Sequence, residues 1–368
     1  VVEAPRSDAP LRRLELSPGE TVAAAARQAL AFGAEALLWH QGAAESGDEE
    51  PLHQLRVAAR RLRASIELFA SAIYASQLKL YRRDLPWVGA QAGAVRECDV
   101  TAALIGARAA KIDPDLKDAI APMVEALGDR RKSEHAKLYA LLASKRYRGL
   151  IAKLSQPAIK KIGADRILGP VAAQLIRPAT HSAARLGRKL HEDAPAIVFH
   201  KLRVRIKRLR YELEMVASLG ARRHKKALAR LEALQELLGL FHDTSVASAW
   251  LMSYAETSAA PPRTVLAAGA MIQSLDSRER KLRRRCTKAW RRFERSDAIR
   301  DALAEIRRAG RLAPAPVSSP APVTEKSESD QPNRSQIAHR ETEDPPHSGH
   351  ILTNSQPTTQ TLPTETIQ

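Results

Sequence analysis

The sequence predicts an all-α protein, and three observations carry that prediction. Residues 19 to about 309 are rich in Ala, Leu, Arg and Glu and lack the period-two alternation of half-buried strands. Helix breakers fall at regular intervals: Gly42, Pro51, Asp113-Pro114, Pro157, Gly163, Pro195, Gly220 and Pro261-Pro262. One unusual helix also occurs twice, so two related bundles of helices are expected. With 368 residues the chain is long enough for two cores of ordinary size.

In chain order, the periodicity and breakers predict helices over 19–41, 51–73, 77–91, 94–110, 114–144, 164–187, 196–218, 223–239, 241–257, 264–293 and 296–308. Residues 1–18 hold Pro5, Pro10 and Pro18 and are expected to be a linker. Residues 19–162 are assigned to a first bundle and 163–310 to a second. Beyond them, 311–368 carries nine of the 22 prolines, many Ser and Thr and no aromatic residue, which predicts a disordered tail.

The duplication is explicit. His53-Gln-Leu-Arg56-Val-Ala-Ala-Arg60-Arg61-Leu-Arg63 returns 147 residues later as His200-Lys-Leu-Arg203-Val-Arg-Ile-Lys207-Arg208-Leu-Arg210. Gly93-Ala-Val-Arg96-Glu97-Cys-Asp99-Val100 then matches Gly239-Leu-Phe-His242-Asp243-Thr-Ser-Val246 at an offset of 146. Matching blocks in one order at one spacing mark an internal repeat.

At about 100° per residue, His53, Arg56, Arg60 and Arg63 fall within roughly 80° of one another. His200, Arg203, Lys207 and Arg210 do the same. Beside each row runs an apolar stripe: Leu55, Ala59, Leu62, Ile66 and Phe69 in the first copy, Leu202, Ile206, Leu209, Leu213 and Val216 in the second. Docking that stripe aims the basic row at the rim of a core. Arg61 and Arg208 lie on another face and read as solvated charges. Pro51 and Pro195 suit the first turns of the two helices, which brings His53 close to a helix N-terminus where anions are favoured. A run of charge ordinarily means a solvated face with Glu and Lys interleaved. Here Glu67 and Glu214 arrive only after the basic rows end, so like charges are left to repel unless an anion joins them. For the histidines, a hydrogen-bonded structural role stands beside the binding role.

Composition agrees with an anionic partner. The chain has 59 Lys and Arg against 41 Asp and Glu, a net charge of +18. From Ala313 onward three basic residues face seven acidic ones, a net −4 that leaves +22 on the remainder. Such a field draws polyanions in without choosing among them. A further basic cluster spans Arg278 to Arg295 with Leu282, Ala289, Trp290 and Phe293 among its charges. It reads either as an outer solvated helix or as a second landing surface. The two cysteines, Cys98 and Cys286, offer neither a disulfide framework nor metal-ligand spacing, in keeping with a cytoplasmic protein. No apolar run is long enough to span a membrane, so no membrane partner is expected.

These motifs resemble the CHAD domain, the conserved histidine α-helical domain. The match rests on His-x-x-Arg-Val-x-x-Arg-Arg-Leu-Arg with the Gly93 block, then on His200 through Tyr211 and Leu234-Gln-Glu-Leu-Leu-Gly239-Leu-Phe241-His242-Asp243. It covers roughly 19–309. The resemblance implies two helical bundles related by a pseudo-two-fold axis, with a basic groove or pore between them that binds inorganic polyphosphate. It also implies association with polyphosphate granules. By motif position the binding residues would be His53, Arg56, Arg60, Arg63, Arg96, His200, Arg203, Lys207, Arg210 and His242. One departure is Glu97-Cys98, where the family usually has Asp and an aliphatic residue. The family often follows a CYTH domain, whose Glu-x-Glu-x-Lys strand is not present here; residues 1–18 resemble the linker out of one. No catalytic residue, metal or cofactor is expected, because no Gly-rich phosphate loop, HExxH or ligand cluster occurs. Two alternatives remain open. A nucleic-acid binder suits the charge, against only 4% aromatic residues for base stacking. A histidine-dependent phosphoryl or metal enzyme requires His53, His200 and His242 to assemble in space.

Overall fold

The computed structural model describes residues 14–109, 114–160, 166–220, 222–257 and 260–312. Residues 311 and 312 of the expected tail end a helix, and the rest of the tail and most of the expected linker lie outside the described residues. Ten α-helices are present among the described residues, with three short 3-10 turns at Pro114–Leu116, Asp118–Ile120 and Ala217–Leu219 and no strand. In order they are α1 (Val22–Glu45), α2 (Glu49–Leu68), α3 (Ala75–Ala109), α4 (Ala121–Leu142), α5 (Lys145–Ser155), α6 (Leu168–Gly187), α7 (Ala196–Met215), α8 (Arg222–Ala255), α9 (Pro262–Glu294) and α10 (Ala298–Leu312).

The packing pattern repeats with a step of five helices. α1 packs on α2, α2 on α3, α3 on α4 and α1 on α5; α6 packs on α7, α7 on α8, α8 on α9 and α6 on α10. Across the halves α2 meets α7 and α3 meets α8, so each meets its own duplicate, as a two-fold relation requires. The helix starts make the relation explicit. Val22 N–H donates to the Arg166 carbonyl and Leu168 N–H donates to the Glu20 carbonyl, both at 2.8 Å. These two bonds are exchanged at an offset of 146, the spacing of the sequence repeat. Each satisfies a donor that a helix N-terminus otherwise leaves free, and the Thr21 hydroxyl caps α1 by accepting from Ala24 N–H at 3.1 Å.

Every residue of both apolar stripes is buried, from Leu55 to Phe69 on α2 and from Leu202 to Val216 on α7. Each large side chain among them contributes about 1.5–3 kcal/mol of burial. They belong to one apolar core shared by both halves, while a smaller core around Ile105, Met123, Leu251 and Met271 gathers the far ends of α3, α8 and α9.

Several element boundaries differ from expectation. The breaks near Gly93 and Gly239 are not there: α3 runs unbroken for 35 residues through Pro86 and Gly93, and α8 for 34 through Gly239. A glycine inside a helix costs about 1 kcal/mol and does not stop it; buried Ala92 and Val95, and Leu238 and Phe241, hold the backbone helical. Gly42 lies inside α1 for the same reason. The helix expected over 114–144 begins as two 3-10 turns, and α5 follows it, capped by the Ser144 hydroxyl on Tyr147 N–H at 3.1 Å. Residues 14–18 are not a free linker. Leu16 is buried in the core and its carbonyl accepts from the Ser218 hydroxyl at 2.7 Å.

α6 and α10 cross where two glycines meet. A Cβ built on Gly310 would lie 2.1 Å from the Gly169 carbonyl group, closer than any side chain tolerates. Gly310→Ala should therefore destabilise the protein by about 1–3 kcal/mol through overpacking. Gly106→Ala, in the interior of α3 with open space beside it, should stabilise it by up to about 1 kcal/mol. Thermal unfolding of the two variants checks the pair, and equal shifts would contradict the crossing.

Candidate functional site

α2 and α7 face each other across the pseudo-two-fold, and between them lies a cavity of about 770 Å³. Seven of the ten expected site residues line it: Arg56, Arg60 and Arg63 from α2, His200, Arg203 and Lys207 from α7, and His242 from α8. They are half-buried except Arg63, which is exposed. The apolar stripes dock both helices, and the basic rows consequently converge.

Three expected residues are elsewhere. Arg210 is turned onto its own helix face, donating to Glu214 at 2.7 Å and to the Gln235 side chain at 3.0 Å. Arg96 is ion-paired with Glu49 and stands 4.0 Å from Asp99. His53 is the fifth residue of α2, as His200 is of α7, but it does not line the cavity. Arg208, expected to be solvated, is instead half-buried at the cavity wall, where it donates to buried Glu212 at 2.6 Å and stands 3.6 Å from Glu67. The packing of α2 against α7 encloses both flanks of α7 and so removes Arg208 from water. Arg61 does stay on the surface, 58% exposed and 3.7 Å from Glu214.

The cavity is not wholly free of carboxylates, contrary to a reading confined to single helix faces. Glu67 lines it, gripped bidentately by Arg82 at 2.8 and 2.9 Å. Those Arg82 hydrogen bonds chiefly hold its carboxyl below the usual range. Asp243 approaches from α8. Burial raises its pKa against the pull of Arg203, Lys207 and Arg56.

What distinguishes the centre is charge without partners. Among the described residues no carboxylate lies within ion-pair distance of Arg56, Arg60, Arg203 or Lys207, whereas Arg82, Arg96, Arg208 and Arg210 are all paired. The Nε–H groups of Arg56 and Arg203, duplicates 147 positions apart, are both buried and both lack an acceptor. A buried charged donor left unmade is costly. Burial, then repulsion from Arg60 and Arg203, brings Arg56 down to about 10. Burial, then Arg60, Arg203 and Arg56, brings Lys207 down to about 6. His200 is lowered by burial and then Arg203 and Lys207, and His242 falls to about 3 by burial and then Arg203, His200 and Lys207. Their Nδ1 atoms face each other at 3.3 Å, one donating to the other. Near neutral pH both rings are therefore neutral, and Lys207 is largely so. His53 is lowered too, by burial first, with Arg56, Arg60 and Lys207 opposing Glu50.

Such an arrangement can do one thing well. An anion entering the cavity gives the orphaned guanidinium donors their acceptors and lets Lys207 take up a proton. Among the described residues no group of three or more His, Cys, Asp or Glu side chains is placed to hold a metal ion, and no helix is long and apolar enough to cross a membrane. Cys98 and Cys286 are free and buried.

A family model for the CHAD domain matches residues 27–252. Among solved structures, the chain is similar to PptA from Streptomyces chartreusis (TM-score 0.63, 19% identity, covering 74% of this chain and 100% of that one). It is also similar to the CHAD domain from the plant Ricinus communis (TM-score 0.56, 22% identity, covering 84% and 99%). At these identities the two structures speak for the fold alone. A search of curated protein sequences gives no match.

The depressed Lys207 has a consequence for binding. Burial and its cationic neighbours hold it down to about 6, and a polyanion bound beside it would move it up toward the ordinary lysine value of about 10.4. Between those limits the complex holds more protons than the free partners, so affinity should rise as pH falls and level off below about 6. Calorimetry with long-chain polyphosphate at pH 8, in buffers of different ionisation enthalpy, should register net proton uptake that Lys207→Met largely removes. Proton release on binding would contradict the assignment.

Proposed function

The chain belongs to the CHAD domain family, whose members are associated with polyphosphate binding, and from that premise we propose that it binds inorganic polyphosphate in the cavity between α2 and α7 without hydrolysing it. The observation that carries the proposal is the pair of buried, acceptorless Nε–H groups on Arg56 and Arg203 beside the unpaired Arg60 and Lys207. Each internal phosphate of the polymer offers two outward oxygens and one negative charge, repeated along a thin flexible chain. Guanidinium groups donate to such oxygens through two parallel N–H bonds. The chain can follow the cavity and meet both halves in turn, so that many modest contacts and the release of condensed counterions act together.

The cavity favours this ligand over nucleic acid. Among the described residues the only aromatic rings that line it besides the histidines are Tyr81 and Tyr211, both buried, which leaves no face on which a base can stack. Hydrolysis is not expected either. The charges that chiefly act on His242 are Arg203, His200, Lys207 and Arg60, and among the described residues no hydrogen bond or ion pair joins the His200–His242 pair to a carboxylate that could make it a base. Attachment to polyphosphate granules follows as a role for a site that holds the polymer and leaves it whole.

A shared site has a distinct signature. Arg56→Gln and Arg203→Gln should each weaken long-chain binding by about ten- to a hundredfold, the worth of a charged hydrogen bond, while one chain still binds per protein molecule. Arg61→Gln should change affinity by less than about twofold. Halved stoichiometry at unchanged affinity in a calorimetric titration would sink the shared cavity. In a separate assay, polyphosphate incubated with the protein and Mg²⁺ or Mn²⁺ should keep its length on a gel. Shortening that vanishes in His200→Ala or His242→Ala would establish an enzyme instead.

A further inference from the structure

A second cavity, again of about 770 Å³, adjoins the first. Four residues line both, Arg63, His200, Val204 and Arg205, so the two are continuous. From there it runs between α6 and α7, walled by Arg185 and Lys189 on one side and Lys201 on the other. No carboxylate lines it, and among the described residues none of these three cations has an ion-pair partner. Their side chains are exposed.

The duplication provides an internal control. The reciprocal bonds at the starts of α1 and α6 fix their register at 146, and the motif fixes α2 against α7 at 147. At those offsets Arg185 corresponds to Trp39 and Lys201 to Gln54, while Ile197 corresponds to Glu50. The first half thus presents neutral residues and an acid where the second presents cations and an apolar residue. Glu49 and Glu50 open α2 on that side.

We propose that the α6–α7 cavity is an exit groove that carries the continuing polyphosphate chain out of the central cavity in one direction, over the second half, and so makes this protein selective for long chains. This rests on the central-cavity reading and goes beyond it. A chain leaving over the first half meets Glu50, with Trp39, Ala43 and Gln54 at the positions of the three cations. Over the second half it meets Lys201, Arg185 and Lys189 in succession. The added groove doubles the room available, so only a polymer longer than the central cavity benefits from it.

The test compares tripolyphosphate with long-chain polyphosphate across a salt series, using wild type and a triple variant, Arg185→Gln, Lys189→Gln, Lys201→Gln. These three side chains line the second cavity and not the first. Long-chain affinity should fall about ten- to a hundredfold as three exposed ion contacts disappear. The salt slope should fall by about two, at about 0.7 per neutralised phosphate on a single strand. Tripolyphosphate affinity should stay within about twofold by the same reasoning on distant exposed charges. A second triple variant, Arg284→Gln, Lys288→Gln, Arg291→Gln, removes equal charge from the exposed face of α9 and should leave both ligands nearly unaffected. Equal loss for both ligands, equal loss in the α9 variant, or an unchanged long-chain affinity would each overturn the exit groove. Wild type that binds neither ligand would overturn the central-cavity reading itself, so the two failures are told apart.

Discussion

Basic side chains held close together, half-buried and without ion-pair partners, are the constraint on which the rest of this structure depends. Arg56, Arg60, Arg203 and Lys207 are brought together because α2 and α7 each bury an apolar stripe beside the basic row, and because a two-fold relation turns the rows toward each other. Burial first, and mutual repulsion after it, depress the pKa values of Lys207 and Arg56. Apolar burial along both stripes, at about 1.5–3 kcal/mol for each large side chain, sustains that repulsion. A fold that merely needed stability would have paired these cations, as it pairs Arg208 with Glu212 and Arg82 with Glu67.

The two halves are alike in frame and unlike in chemistry. Helix order, packing partners and the exchanged bonds at the starts of α1 and α6 follow the repeat closely. The α8 histidine, His242, has Arg96 as its counterpart on α3, and Arg96 is engaged with Glu49. Hence the His200–His242 contact exists on one side alone. The cations between α6 and α7 are likewise one-sided. The frame of the cradle is symmetric, and its charge is not.

Much of this was legible in the sequence for a definite reason: helical periodicity reports which residues share a face. Both apolar stripes are buried residue for residue, and Arg56, Arg60, Arg63, His200, Arg203 and Lys207 meet as their spacing implied. What periodicity cannot report is what other helices bring. Arg210 shares the face but finds Glu214 one turn on and Gln235 from α8. Arg208 is enclosed by Glu67 of the opposite helix. The second cavity needs α6 beside α7, and no local pattern announces that neighbour. The periodicity divides each long helix in two, at 91–94 and at 239–241, where the structure runs on, because a glycine such as Gly93 or Gly239 ends a helix only when the backbone around it is free to leave.

The central claim is that two duplicate guanidinium groups, each with a buried Nε–H that lacks an acceptor, are completed by one shared anion. Their side-chain Nε–H resonances report on this directly, since each shifts when its hydrogen gains an acceptor. In a titration with polyphosphate followed by nitrogen–proton NMR, the Nε–H signals of Arg56 and Arg203 should both move downfield, with one common midpoint. Signals that move at separate midpoints, or that stay in place while the ligand binds elsewhere, would contradict the account.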